Sequence, residues 1–105
     1  MAYKVLGQSN PSAATATDLY TVPSSKSAVV STIAIANRGA ATTYRVAIRP
    51  SGAALANQHY IAFDVPIPAN SSDFLTLGIT LATTDVVTVY ATLATLSFSA
   101  FGNES

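Results

Sequence analysis

The chain has 105 residues, no cysteine, one histidine, and five basic residues balanced by five acidic ones. Without thiols there is no disulfide framework, thiolate metal site or cysteine nucleophile, and without a basic excess there is no electrostatic footprint for nucleic acid. Only 10% of the residues are charged, so charge does little for solubility, and part of the surface is expected to lie against a neighbour, as in an oligomer or assembly subunit.

The N-terminal segment, residues 1–17, reads as a short strand or arm followed by a loop. Tyr-Lys-Val-Leu gives way to turn formers and small residues without periodicity. Residues 18–105 read as a β-sandwich domain. Asp18 to Val22 is a strand stopped by Pro23, and Ala28 to Ala36 is a β-branched strand, apolar on both faces and therefore central. Asn37 to Ala41 reads as a tight hairpin, with Asn37 and Gly39 suited to positive φ. It leads into Thr42 to Arg49, where Tyr44, Val46 and Ile48 alternate strictly with Arg45, Ala47 and Arg49.

After a turn at Pro50-Ser51-Gly52, Gln58 to Val65 alternates again, with His59, Ile61, Phe63 and Val65 against Gln58, Tyr60, Ala62 and Asp64. Two prolines stop it at Pro66 and Pro68. Phe74 to Leu81 then places Leu75, Leu77, Ile79 and Leu81 on one face, with Gly78 marking a bulge or close packing. Beyond the turn at Ala82 to Asp85, Val86 to Leu93 and Leu96 to Phe101 read as two strands paired with each other, before a polar tail. Their long uncharged run is studded with Thr and Ser at period two, which favours strands over a membrane helix, and no secretory signal is read. Turn signals roughly every 8–12 residues predict an all-β fold: a single antiparallel β-sandwich, Ig-like or jelly-roll-like, of about eight short strands, with a small closed barrel as the alternative.

Chemistry is sparse. His59 is the sole imidazole, with no Ser or Asp near it in a nucleophile arrangement, so a packed or interface role is expected. Asp18, Asp64, Asp73 and Asp85 are scattered singly and are expected to cap turn amides. Arg45 and Arg49, about 13 Å apart on one strand face, suit either a partner subunit's carboxylates or a solvated face. No catalytic, cofactor-binding or metal-binding residue is assigned, and neither nucleic acid nor membrane is expected as a partner. A carbohydrate-binding module for host attachment would need aromatic residues such as Tyr60 or Tyr90 on an exposed face.

Several stretches carry a resemblance to known proteins: Met1 to Gln8, Asp18 to Pro23, Val29 to Gly39, Tyr44 to Pro50, Asn57 to Ala62 and Leu75 to Tyr90. Together they resemble small virion structural proteins of tailed bacteriophages, including those that infect cyanobacteria. The likeness spans nearly the whole chain and implies a non-enzymatic component of the virion, assembled in the host cytoplasm. The expected role is a capsid decoration or cement protein, a homo-oligomer such as a trimer, that binds the major capsid protein and stabilises the shell. A tail, baseplate or fibre-associated structural protein is the alternative.

Overall fold

The computed structural model describes residues 2–105. Its strands are β1 (Ala2–Ser9), β2 (Thr17–Thr21), β3 (Ala28–Asn37), β4 (Thr42–Arg49), β5 (Tyr60–Ile67), β6 (Ser72–Leu81), β7 (Val86–Ala91) and β8 (Leu96–Glu104). Short 3-10 turns at Pro50–Gly52 and Asn57–His59 lie between β4 and β5. Two four-stranded sheets result, ordered β1-β8-β3-β6 and β2-β7-β4-β5, with every pairing antiparallel.

This order has a simple origin. The pairs β1–β8, β2–β7, β3–β6 and β4–β5 are the rungs of one long antiparallel hairpin whose tip is the β4–β5 connection. Successive rungs alternate between the two sheets, and β3–β8 and β4–β7 contacts complete each sheet. That is jelly-roll topology, which selects between the two sandwich types expected from the sequence. Residues 2–9 form a full edge strand of the first sheet, beside β8.

The alternation in β4 behaves as its sequence dictates. Tyr44 and Val46 are buried and Ile48 packs against the core, while Arg45 and Arg49 face outward. Their inward neighbours are Val87, Val89, Ala91 and Ile67 of the same sheet, facing Val30, Ile33, Ile35, Leu96, Phe98 and Ala100 of the other. Each large side chain buried this completely contributes about 1.5–3 kcal/mol relative to exposure. Tyr44 meets Phe98 edge-on across the core, ring centroids 6.3 Å apart.

Two tyrosine hydroxyls help tie the sheets together. The Tyr44 hydroxyl donates to Asp73 Oδ2 on β6 at 3.0 Å, and the Tyr20 hydroxyl donates to Glu104 Oε2 on β8 at 2.6 Å. Glu104 also accepts from Lys4 Nζ at 3.0 Å. At the β1–β2 edge the sheets approach so closely that a Cβ on Gly7 would overlap the Leu19 carbonyl oxygen, which leaves glycine as the residue that fits.

Three sequence expectations are corrected here. Asn37 to Ala41 is an arch between sheets, because β3 pairs with β6 and β8 while β4 pairs with β5 and β7. Neither Asn37 nor Gly39 has positive φ. Asn37 is instead buried inside the arch, its Nδ2 donating to the carbonyls of Ala40 (2.8 Å) and Pro68 (3.0 Å) and its Oδ1 accepting from Gly39 N (3.0 Å) and Thr95 Oγ1 (3.1 Å). By the same logic β7 and β8 lie in different sheets and do not pair with each other. Finally, Gly102 to Glu104 belong to β8, held between β1 and β3, and are not a tail.

Replacing Asn37 with Ala strands at least two carbonyls, one amide and one hydroxyl beneath the arch. Denaturant unfolding should show a loss of about 3 kcal/mol, and a loss under about 0.5 kcal/mol, the level of an ordinary surface substitution, would contradict the role assigned to this side chain.

The tyrosine–carboxylate bonds also set how stability depends on pH. Glu104 is held below the usual carboxylate range by the Tyr20 hydroxyl first and Lys4 second, so its contribution is present above the unfolded value of about 4.3 and is lost as pH falls through the folded value. Tyr20 and Tyr44 are pushed up by burial and then by their carboxylate partners. Their contribution is intact below the unfolded value of about 10 and is lost as pH rises through the folded values. Two of the five tyrosines should therefore gain tyrosinate absorbance only as the fold opens in alkali, and free ionisation of all five in the folded protein would refute this.

Candidate functional site

The two outward faces of the sandwich differ in chemistry. On the β1-β8-β3-β6 sheet, cross-strand register aligns four rows: Tyr3–Asn103–Val29–Thr80, Val5–Phe101–Thr32–Thr76, Gln8–Ser99–Ala34–Phe74, and Ser97–Ala36–Ser72. None of these residues is charged. Tyr3 is 81% exposed, Phe74 67% and Val5 50%, and Val29 and Phe101 are also exposed. The charges of these strands point the other way: Lys4 and Glu104 pair at the seam between sheets, and Asp73 meets Tyr44. Arg38 touches only the rim, its Nε donating to Ser97 Oγ at 3.0 Å. Asn103 Oδ1, in the first row, is the one buried side-chain polar atom among the described residues without a hydrogen-bond partner.

The opposite face, on the β2-β7-β4-β5 sheet, gathers the charges. Arg49 Nη2 contacts Asp18 Oδ1 at 2.8 Å, and Arg49 also donates to Thr88 Oγ1 and to the carbonyls of Gly52 and Ala53. Arg45 Nε contacts Asp64 Oδ1 at 2.6 Å. Its guanidinium lies over two rings, 4.2 Å from the Phe63 centroid and 4.4 Å from that of Tyr90. The bond to Asp64 raises the Arg45 pKa, so this cation stays charged and paired inside its own chain.

The local geometry explains how β5 delivers both an aromatic ring and a carboxylate to one arginine. Val46 pairs with Ala62 and Tyr44 with Val65, so Phe63 and Asp64 together oppose Arg45 alone. This is a β-bulge, and Asp64 takes φ +50 to make it. A second irregularity follows, since Ala47 pairs with Tyr60 and leaves Ile61 extra. That extra residue reverses the alternation and brings Tyr60 to the same side as Phe63, the rings edge-on with centroids 4.9 Å apart. Beside them Asn57, Tyr60 and Phe63 line an open cleft of about 470 Å³.

Several residues singled out in the sequence find other roles. His59 lies in the 3-10 turn ahead of β5, where its Nδ1 accepts from the Ala56 amide at 3.1 Å. Of the four aspartates only Asp85 caps turn amides, accepting from Ser51 N and Ala82 N. Asp18 and Asp64 pair with arginines, and Asp73 accepts from Tyr44, because antiparallel register places an outward or cross-sheet donor opposite each. Arg45 and Arg49 each pair with a carboxylate of their own chain. The aromatic grouping of Tyr60, Phe63 and Tyr90 was not visible in sequence, because strict alternation puts Tyr60 and Phe63 on opposite faces; the only local signal was an aspartate, tolerant of positive φ, inside a strand. Among the described residues no group of three or more His, Cys, Asp or Glu side chains could hold a metal ion, and no helix is long and apolar enough to cross a membrane.

Comparison with known proteins finds no matching family model, no matching curated protein and no matching solved structure.

Proposed function

We propose that this protein is a non-enzymatic structural subunit of a tailed-phage particle, and that it decorates and stabilises the capsid by seating its uncharged sheet face on the major capsid protein. The observation that carries the reading is the neutrality of that face. Four strands at about 4.8 Å spacing and some eight residues at about 3.3 Å rise give roughly 500 Å² of flat area. A stable standard interface takes about 800 Å² per partner, so one such face makes a contact that gains from repetition over a lattice. Tyr3, Phe74 and Phe101 supply aromatic anchors of the kind enriched at interface cores, and Val5 adds apolar area beside them. The jelly roll is a common building block of viral shells, which supports the reading by analogy of fold alone. The sequence likeness to phage virion proteins points in the same direction.

A charge-free contact has few counterions to release and little electrostatic steering. Retention on purified particles is expected to stay constant between low and high salt. Val5→Lys or Phe74→Glu would bury an unpaired charge at the contact. Each variant should fold as the parent does, since both positions are exposed, yet fall off the particle. Copy number settles the place on the virion: copies scaling with the capsid lattice support decoration, whereas copies confined to one vertex would move the protein to the tail or baseplate. Unchanged retention of both charged variants would overturn the assignment of this face.

A further inference from the structure

We propose that the Asn57–Tyr60–Phe63 cleft, on the face opposite the uncharged sheet, is a binding site for a neutral saccharide ring. The cleft's volume of about 470 Å³ falls within the range of small-ligand sites. Its walls combine two aromatic rings set edge-on at 4.9 Å with one carboxamide. A pyranose has the matching character: an apolar face of axial C–H groups for a ring, and equatorial hydroxyls that donate and accept. The Asn57 amide offers both functions, and it is engaged in no side-chain hydrogen bond among the described residues, whereas the Tyr60 hydroxyl lies toward Arg45. Phe63 is 54% exposed although Arg45 backs it, so one ring face is occupied by the guanidinium while exposed ring surface remains.

Charge balance decides the ligand class. The nearest cation, Arg45, is neutralised by Asp64 at 2.6 Å and stacked between Phe63 and Tyr90. No uncommitted positive charge lines the cleft, which disfavours phosphate, sialate or a nucleic-acid backbone. The same stacking gives Phe63 a fixed support. The β-bulge at Phe63 and Asp64 sets the backbone from which the ring projects, and a ring held in place before the ligand arrives loses little freedom on binding.

The test is a titration of the ¹⁵N-labelled full chain with neutral oligosaccharides (maltotriose, cellobiose, chitobiose and a β-galactobiose) and with anionic sialyllactose and inorganic phosphate, followed by amide chemical shifts. At least one neutral sugar is expected to shift the amides of Asn57, Tyr60 and Phe63 in a saturable way at millimolar concentration. Phe63→Ala and Asn57→Ala should each weaken that binding roughly tenfold or more, while Phe74→Ser, on the other face, should leave it unchanged. If Phe63→Ala disturbs the amide dispersion of the fold, the Asn57→Ala comparison carries the decision. The proposal is overturned by an absence of shifts at these amides with every neutral sugar, by shifts with the anions alone, or by equal binding in the parent and the folded cleft variants. Particle retention through the uncharged face does not enter this measurement, so the two proposals fail separately.

Discussion

Every strand connection except that from β4 to β5 crosses from one sheet to the other, and each crossing must carry backbone amides and carbonyls over the end of an apolar core. A buried backbone polar group left unpaired costs about as much as a lost hydrogen bond, and often more. Asn37 meets this demand at the most crowded end. Its amide and carbonyl reach the β3–β4 arch, the β5–β6 connection at Pro68 and the β7–β8 connection at Thr95. At the other end Asp85 joins its own turn to the β4–β5 connection through Ser51, and Thr83 donates to the Lys26 carbonyl of the β2–β3 connection. The jelly roll therefore depends on a few short polar side chains that close its ends, as much as on the apolar layers between them.

The distribution of charge follows from the same economy. With so few charged residues, each is given a partner or a rim, and the three ion pairs lie at the β1–β8 seam or on the β2-β7-β4-β5 face. Exposed pairs of this kind contribute little to stability individually, so their placement matters more for what they leave behind. They leave one sheet face neutral and the other carrying balanced charge next to aromatic rings. Water can solvate the Ser, Thr and Asn side chains of the neutral face, but Tyr3, Val5, Phe74 and Phe101 among them gain only from being covered.

Much of the fold was legible because strand alternation is a local property. Thr42 to Arg49 was bounded and oriented from its sequence, and the central position of Ala28 to Ala36 followed from apolar residues on both faces. Connectivity was not legible. Asn-Arg-Gly and Ala-Thr-Thr-Asp are turn chemistry whether the chain returns beside itself or arches to the other sheet, and the choice is made by pairing partners far away in sequence. The cleft was hidden for a related reason: a single inserted residue reverses which side every later residue faces. Ile61 and Asp64 are such insertions; the identity of Ile61 does not distinguish it from a residue of a regular strand, and the tolerance of aspartate for positive φ is the one hint at Asp64. Gly78 is the exception: a bulge or close packing is expected there, and of the two the structure has the bulge, with Leu77 and Gly78 together opposing Ser31, φ +98 at Gly78, open space around it and Leu77 left half exposed.

The two bulges in β5 have a consequence for how the protein is used. β5 is an edge strand, its outer side free of a paired neighbour, and a long regular edge invites another strand to join it. Positive φ at Asp64, the extra Ile61 and Pro66, which has no amide hydrogen to donate, interrupt that template along most of its length. The same irregularities turn Tyr60 and Phe63 outward onto Arg45. Protection of the edge and construction of the aromatic ledge thus arise from one distortion of the backbone, and a substitution that regularised β5 would dismantle the ledge and expose the edge together.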